Sequence, residues 1–357
     1  MVLPYWSLYL QALGFAPLQI GELLAINQAT KVAAPNVWGW IADRTGQRIA
    51  IVRLACLATA ICFTGVYLTH DSFAGLAIVM LLFSFFWNAA LPQFEAITLN
   101  HLGNEIHRYS RIRLWGSVGF IATAVLIGVL IQSLGVNIVP PVLLGLFIVL
   151  WLNSLTVPEK TAAHRQLERE PFRRVLLQPH VLALFVICFL MQASHGPYFA
   201  FFSIYLEEIG YSRSLIGVLW GLGVMAEVGI FLLVPRWLLR FGARSLMRVT
   251  LLLTTLRWLL IGGFAAKLPL LLFAQTLHAF SFGVYHAVSI YLIHHFFKGP
   301  HQGRGQALYS SLSFGAGGAL GSLAAGYLWS GLGPEGTYYL GAGLSAMGLL
   351  AVRWLPL

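Results

Sequence analysis

Eleven apolar runs dominate the chain, near 18–41, 50–69, 74–98, 114–133, 138–156, 179–206, 214–238, 247–265, 268–296, 306–329 and 337–355. Each is close to or above the ~20 residues that a helix needs to cross ~30 Å of hydrocarbon. In lipid the backbone has no water to bond to, so such runs must be helices or the strands of a closed barrel, and the lack of period-2 alternation removes the barrel. A composition of 58% hydrophobic and 10% charged residues agrees. The expected fold class is an all-α integral membrane protein.

The chain also repeats itself. Residues 9 to 21, YLQALGFAPLQIG, recur at 205 to 217 as YLEEIGYSRSLIG, with Tyr9/Tyr205, Leu10/Leu206, Gly14/Gly210, Ile20/Ile216 and Gly21/Gly217 matching at a shift of 196. Farther on, Arg44, Gly46 and Arg48 fall on Arg240, Gly242 and Arg244, although Asp43 falls on Leu239. The expected organisation is a first helix bundle over 1–157, a linker over 158–178 and a second bundle over 179–357, with a substrate site between the halves. The stretch of roughly residues 2 to 13 is too short to cross. By the repeat offset, about seventeen residues of a first helix have no counterpart, as a misplaced start codon would produce. A cleaved signal peptide fits less well, for lack of a basic leading region and a small-residue cleavage site.

The net charge of +10 does not point to nucleic acid, because its distribution follows the membrane. Alternate loops and the C-terminal end hold 18 of the 22 lysine and arginine residues, whereas the opposite loops hold only Arg213 and Lys267. The positive-inside rule then puts the basic loops, the C-terminus and the N-terminus of a complete first helix in the cytoplasm, in a bacterial inner membrane. The segment PEKTAAHRQLEREPFRR at 158–174 reads as the cytoplasmic linker, with anionic headgroups for neighbours. Cys56, Cys62 and Cys188 sit in apolar spans as small buried hydrophobes, implying neither disulfide nor metal.

Six plus six spans, a long central loop and the run Gly39-Trp-Ile-Ala-Asp43-Arg44-x-Gly46-x-Arg48 between the second and third spans resemble the major facilitator superfamily and its loop signature. More narrowly, YSRIRLWGSVGF (109–120), the Gln192/His195/Tyr198 region, VMAEVGIF (224–231), LRWLLIG (256–262) and LHAFSFGVYHAVSIYLI (277–293) are similar to the phenylpropionate permease subgroup, relatives of the proton-coupled sugar symporters that include lactose permease. The resemblance implies a major facilitator fold of two six-helix bundles. It also implies a cytoplasmic gate in which the signature Asp43 and Arg44, with Gly39, Gly46 and Arg48, tie the inner ends of helices together.

Transport is further implied by ionisable groups inside spans, each costing ~3 kcal/mol at the bilayer centre unless it faces a partner or a wet cavity. Glu227, Arg257 and His278 each lie about ten to thirteen residues into successive spans, roughly 15–20 Å deep at the helical rise. An acid, a guanidinium and an imidazole at one depth are the parts of a proton relay. The resemblance adds that lactose-permease-like symporters use such groups in the C-terminal bundle, although their acid on the tenth helix has no match here, leaving Glu227 as the proton carrier. The alternative is a static ion pair.

Lys31 is the repeat partner of Glu227 and can anchor a carboxylate, or else pair with Glu227 or snorkel to the interface. Asn27 and Gln28 lie one turn away. His195 precedes Gly196-Pro197, where a freed carbonyl permits a bend, and His286 shares a face with His278 and Phe282; both histidines equally suit packing. Tyr198, Phe199, Phe201 and Phe202 can stack on an aromatic solute or simply pack. Glu95 lies about twenty-one residues into its span, near the basic end, and belongs with the gate alongside Asp43, Arg44, Arg111 or Arg113.

Other chemistries lack parts. There is no G-x-x-x-x-G-K-[ST] run for ATP, no H-E-x-x-H or cysteine cluster for a metal, and Ser310, Ser311 and Ser313 beside GAGGALGS do not make a convincing nucleophile and base. An efflux antiporter would carry Gly-Pro in the fifth helix, and WGSVGFIATAVLIG (115–128) has none. The expectation is a monomeric secondary transporter that needs no cofactor, driven by the proton gradient and importing a small organic solute such as an aromatic carboxylate. A sugar, a nucleoside, drug efflux and an intramembrane enzyme are the alternatives.

Overall fold

A computed structural model of the protein describes residues 2–103, 105, 108–159, 172–298 and 301–356; among these no strand forms. Helices α1 (Val2–Ala12), α2 (Pro17–Thr45), α3 (Arg48–Thr69), α4 (Phe73–Leu102), α5 (Tyr109–Leu134) and α6 (Val136–Thr156) make the first half. A one-turn helix, Phe172–Leu176, leads into α7 (Pro179–Glu208), α8 (Arg213–Phe231), α9 (Val234–Phe264), α10 (Leu268–Phe296), α11 (302–332) and α12 (334–352). The linker residues between 160 and 171 lie outside the described part.

Eight helices, α3 to α10, are long and apolar enough to cross a membrane. The runs expected at 18–41, 306–329 and 337–355 also form helices of crossing length, but polar and small residues lower their hydropathy. Asn27, Gln28, Thr30 and Lys31 do so in α2, the GAGGALGS stretch in α11, and Glu335 with several glycines in α12.

The repeat is visible in the backbone. Gly14 and Gly210 end the first helix of each half at φ 87° and 95°, and Gly46 and Gly242 break the chain at φ 69° and 75°. This left-handed region is strained for any residue with a Cβ.

Two seams hold the halves together, and both rest on the repeated Gly21/Gly217 pair. A Cβ on Gly21 of α2 would lie 2.7 Å from the Gly326 Cα of α11, and one on Gly217 of α8 would lie 2.5 Å from the Ala124 carbonyl oxygen of α5. Between helices in lipid, close backbone approach through small residues is a main source of attraction. At the end opposite the basic loops the halves are also bridged by hydrogen bonds. The Ser203 hydroxyl donates to the Pro4 carbonyl and the Arg213 amide to Gln132 at 2.8 Å, while the Tyr5 hydroxyl, donating to the Ala124 carbonyl of its own half, lies against Gly217 of the other. Nearby, Gln11 donates to Glu208 at 3.4 Å.

Within the second half, Gly196 and Gly321 touch so closely that a Cβ on Gly196 would lie 2.1 Å from the Gly321 carbonyl. Gly196→Ala should therefore cost at least the ~1–3 kcal/mol of an overpacked core, and Gly21→Ala a comparable amount. Gly145→Ala, where nothing lies within 4 Å, should be neutral or mildly stabilising. Thermal unfolding of the detergent-purified variants, followed by size-exclusion recovery, checks the contrast.

Candidate functional site

Of the acid, the imidazole and the guanidinium expected at one depth, the acid and the imidazole come together. Glu227 of α8 lies 3.6 Å from the His278 Nε2 of α10, with both side chains about one-tenth exposed. That distance is an electrostatic contact rather than a hydrogen bond. Two glycines make the approach possible. A Cβ on Gly223 would come within 3.3 Å of the His278 ring, and one on Gly283 within 3.0 Å of the Glu227 Cγ.

Arg257 of α9 lies behind this pair and is fully buried. It donates to Ser281 Oγ at 2.9 Å and to Gln275 Oε1 at 3.0 Å, and its guanidinium sits 4.3 Å from the Tyr198 ring and 4.5 Å from the Trp258 ring. Neutral dipoles and ring faces thus solvate the cation, and no carboxylate among the described residues lies within 4 Å of it. Gln275 in turn donates to the Tyr198 hydroxyl at 3.3 Å and the Leu219 carbonyl at 3.0 Å. Gln275 and Ser281 were missed in the sequence, although each lies three residues from His278 on the same helix face.

Helix α10 is π-helical over Ala279–Val284, and α11 over Ser311–Gly317. The wider turn lets His278, Phe282 and His286 stack as a ladder, with interplanar angles of 14° and 16°. The ladder ends where the His286 Nδ1 meets the Tyr309 hydroxyl at 3.0 Å. Single π turns inside α-helices recur at functional sites.

The Gly196-Pro197 step divides α7, and the His195 Nδ1 lies 2.7 Å from the Met191 carbonyl at the break. His195 is wholly buried against Trp258, 4.8 Å between ring centroids. Tyr198, Phe199, Phe201 and Phe202 are buried as well, and Phe201 stacks on Trp329 at 4.3 Å. The α7 aromatics are part of one buried core that also takes in Tyr5, Trp6 and Tyr9 of α1, so they pack where the two halves meet.

On the first half, Lys31 is half-buried, and no carboxylate among the described residues lies within 4 Å of it. The Lys31–Glu227 pair expected as one alternative is not formed here, because Glu227 faces His278 instead. Asn27 donates to Ser84 at 2.8 Å, and Asn88, which the sequence did not single out, donates to Thr30 at 2.8 Å. These bonds tie α2 to α4 below Lys31.

At the basic end the expected groups assemble with one exchange of partners. Glu95 pairs with Arg113 at 3.0 Å, as anticipated. Burial and the neighbouring Glu95 carboxylate push the Tyr109 hydroxyl pKa up, which keeps the phenol a donor. Asp43, however, pairs with Arg48 at 2.5 Å, and Arg48 also donates to Gln93 at 2.7 Å. Arg44 lies over the Trp40 ring at 4.1 Å. The i,i+5 reach across the Gly46 turn brings Arg48 back to Asp43, whereas the adjacent Arg44 points along the helix surface. Gly46 makes that turn at φ 69°, and Gly39 has open space around it. Both ion pairs stay within the first half.

Residues 1–340 match the family model described as MFS_1 like family. The chain is 30% identical over 340 residues to the "Probable 3-phenylpropionic acid transporter" of Escherichia coli (strain K12), covering 93% of this chain and 87% of that one. It is 26% identical over 332 residues to the maltose permease of Geobacillus stearothermophilus, covering 91% and 82%. The crystal structure of nucleoside transporter NupG superposes with a TM-score of 0.85 at 17% identity, covering 98% of this chain and 93% of that one. The fold is thus that of the major facilitator transporters, and the chain belongs to the MFS_1 like family as a multi-pass secondary transporter rather than an enzyme.

Proposed function

We propose that the protein is a proton-coupled symporter of a small organic anion, an aromatic carboxylate being the favoured class. The observation that carries this reading is the charge arrangement: one acid, Glu227, faces His278, a buried Arg257 is held by neutral partners, and Lys31 on the other half has no carboxylate within 4 Å among the described residues. In this reading ionised Glu227 is the acid that balances these positive groups at longer range through low dielectric. Once Glu227 takes a proton, Arg257 and Lys31 both lack a counter-charge, and a carboxylate entering the cavity restores it. Proton and anion therefore favour each other's binding, as symport requires. The name of the Escherichia coli relative supports the solute class.

In this mechanism Lys31 contacts the solute and Asn27 positions the α2–α4 wall, whereas Arg257, His195 and Tyr198 act from inside the second half. His286 extends the His278 ladder toward the basic end. The halves are joined by Gln11–Glu208 and Gln132–Arg213 at the opposite end and by Asn36–Ser311 toward the basic loops, whereas the ion pairs Glu95–Arg113 and Asp43–Arg48 stay within one half and leave the inner gate to open between the halves. We assign those loops to the cytoplasm of a bacterial inner membrane, a monomer to the working unit, and rocking about the glycine seams to the transport step. A neutral sugar or nucleoside is the second reading, favoured by the likeness to maltose permease.

Glu227→Gln should abolish uphill, pH-driven accumulation in proteoliposomes while sparing solute exchange without a gradient, because an amide keeps the hydrogen bonds of a protonated carboxyl but releases no proton. Unchanged pH-driven uptake would reject the assignment of Glu227. Lys31→Gln should weaken binding of an aromatic acid by about 1.5–3 kcal/mol, roughly ten- to over a hundredfold, and that of its uncharged amide far less. Calorimetry on both ligands tests it, and equal losses would favour the neutral solute. Gly223→Leu should displace His278 and reduce coupling more than solute affinity, read as the ratio of pH-driven uptake to exchange.

A further inference from the structure

Between α7 and the end of α12, at the end that carries the basic loops, the surface forms a groove of about 260 Å3. It is lined by Pro179, Leu182, Ala183, Val186, Ala351 and Trp354, all of them apolar. Buried Ala183 and Ala351 make the floor, and Leu182, Val186 and Trp354, each close to half exposed, make the rims. From Pro179 to Val186 the slot follows α7 for about 10 Å, along the direction of the lipid chains.

The wall of this groove is fixed. Arg244 donates from Nε and from one terminal nitrogen to the Leu355 carbonyl, and the Leu355 side chain is fully buried. The turn after α12 is thereby fastened, and Trp354 stands as a rigid side. Arg244 is the repeat counterpart of Arg48, which in the first half serves Asp43 and Gln93. One position thus joins the inner ends of helices in one half and holds the groove wall in the other.

Positive charge sits at the groove mouth. The Arg353 guanidinium lies 4.0 Å from the Trp354 ring centroid, and Arg173 and Arg174 are exposed on the one-turn helix just ahead of Pro179. Indole and guanidinium groups at a helix end mark headgroup depth. A narrow apolar slot with cations at its mouth is complementary to a lipid that carries an acyl chain and an anionic head.

We propose that this groove is a binding site for an anionic phospholipid, one acyl chain lying between Leu182, Val186 and Trp354 and the phosphate on Arg353. The site is separate from the transport cavity. Native mass spectrometry of the purified full chain, titrated in detergent with phosphatidylglycerol or phosphatidylcholine, tests it. The wild type should retain phosphatidylglycerol about fivefold better, the factor expected for one arginine at the headgroup level. Arg353→Gln should bring the two lipids close to parity, and Arg353→Lys should keep the preference. Ala183→Phe, which fills the floor, should reduce retention of both lipids. Equal retention of the two lipids by the wild type, an unchanged preference in Arg353→Gln, or unchanged retention in Ala183→Phe would each overturn the site.

Discussion

Backbone-to-backbone contact across the two glycine seams sets the distance between the halves, and the rest of the molecule is arranged around that distance. Gly21 against Gly326 lets α2 meet α11 backbone to backbone, and Gly217 against the Ala124 carbonyl lets α8 meet α5 with the Tyr5 hydroxyl seated at the contact. Helices this close pack through their backbones and present a small-residue surface between the two halves. Lys31 and Glu227 share the seam helices α2 and α8 with the two glycines.

The second half carries most of the buried polarity. Gln192, His195, Tyr198, Arg257, Gln275 and His278 are all buried there, whereas the first half holds a smaller cluster of Asn27, Thr30, Ser84 and Asn88 between α2 and α4. Polar groups in lipid are costly unless partnered, so this asymmetry divides the labour. The second half holds Arg257 in a network of buried polar partners, and the first half keeps Lys31 without a carboxylate within 4 Å among the described residues.

The spans and the repeat were legible in the sequence because hydropathy and glycine position are local properties. Gly14/Gly210 and Gly46/Gly242 kept both their spacing and their left-handed backbone. The approach of Glu227 to His278 was legible too, since counting residues along each helix puts them at similar levels. What the sequence hid depends on three-dimensional reach. Asp43 chose Arg48 over its neighbour Arg44 because the chain turns back at Gly46. Arg257 found amide and hydroxyl partners in Gln275 and Ser281, which have no charge to draw the eye. The two π segments left no pattern that periodicity alone would register.

The partners of Arg257 also bear on how the chain is made. Helix α9 is synthesised before α10, yet the hydrogen-bond acceptors of its guanidinium, Gln275 and Ser281, lie on α10. A lone α9 entering lipid would carry the ~3 kcal/mol insertion cost of an uncompensated arginine at mid-depth. The short connection between Phe264 and Leu268 removes that cost only once the next helix has emerged from the ribosome. Entry of the two helices as a hairpin would spare that cost, so the residue that holds the site's positive charge also bears on the order of biogenesis.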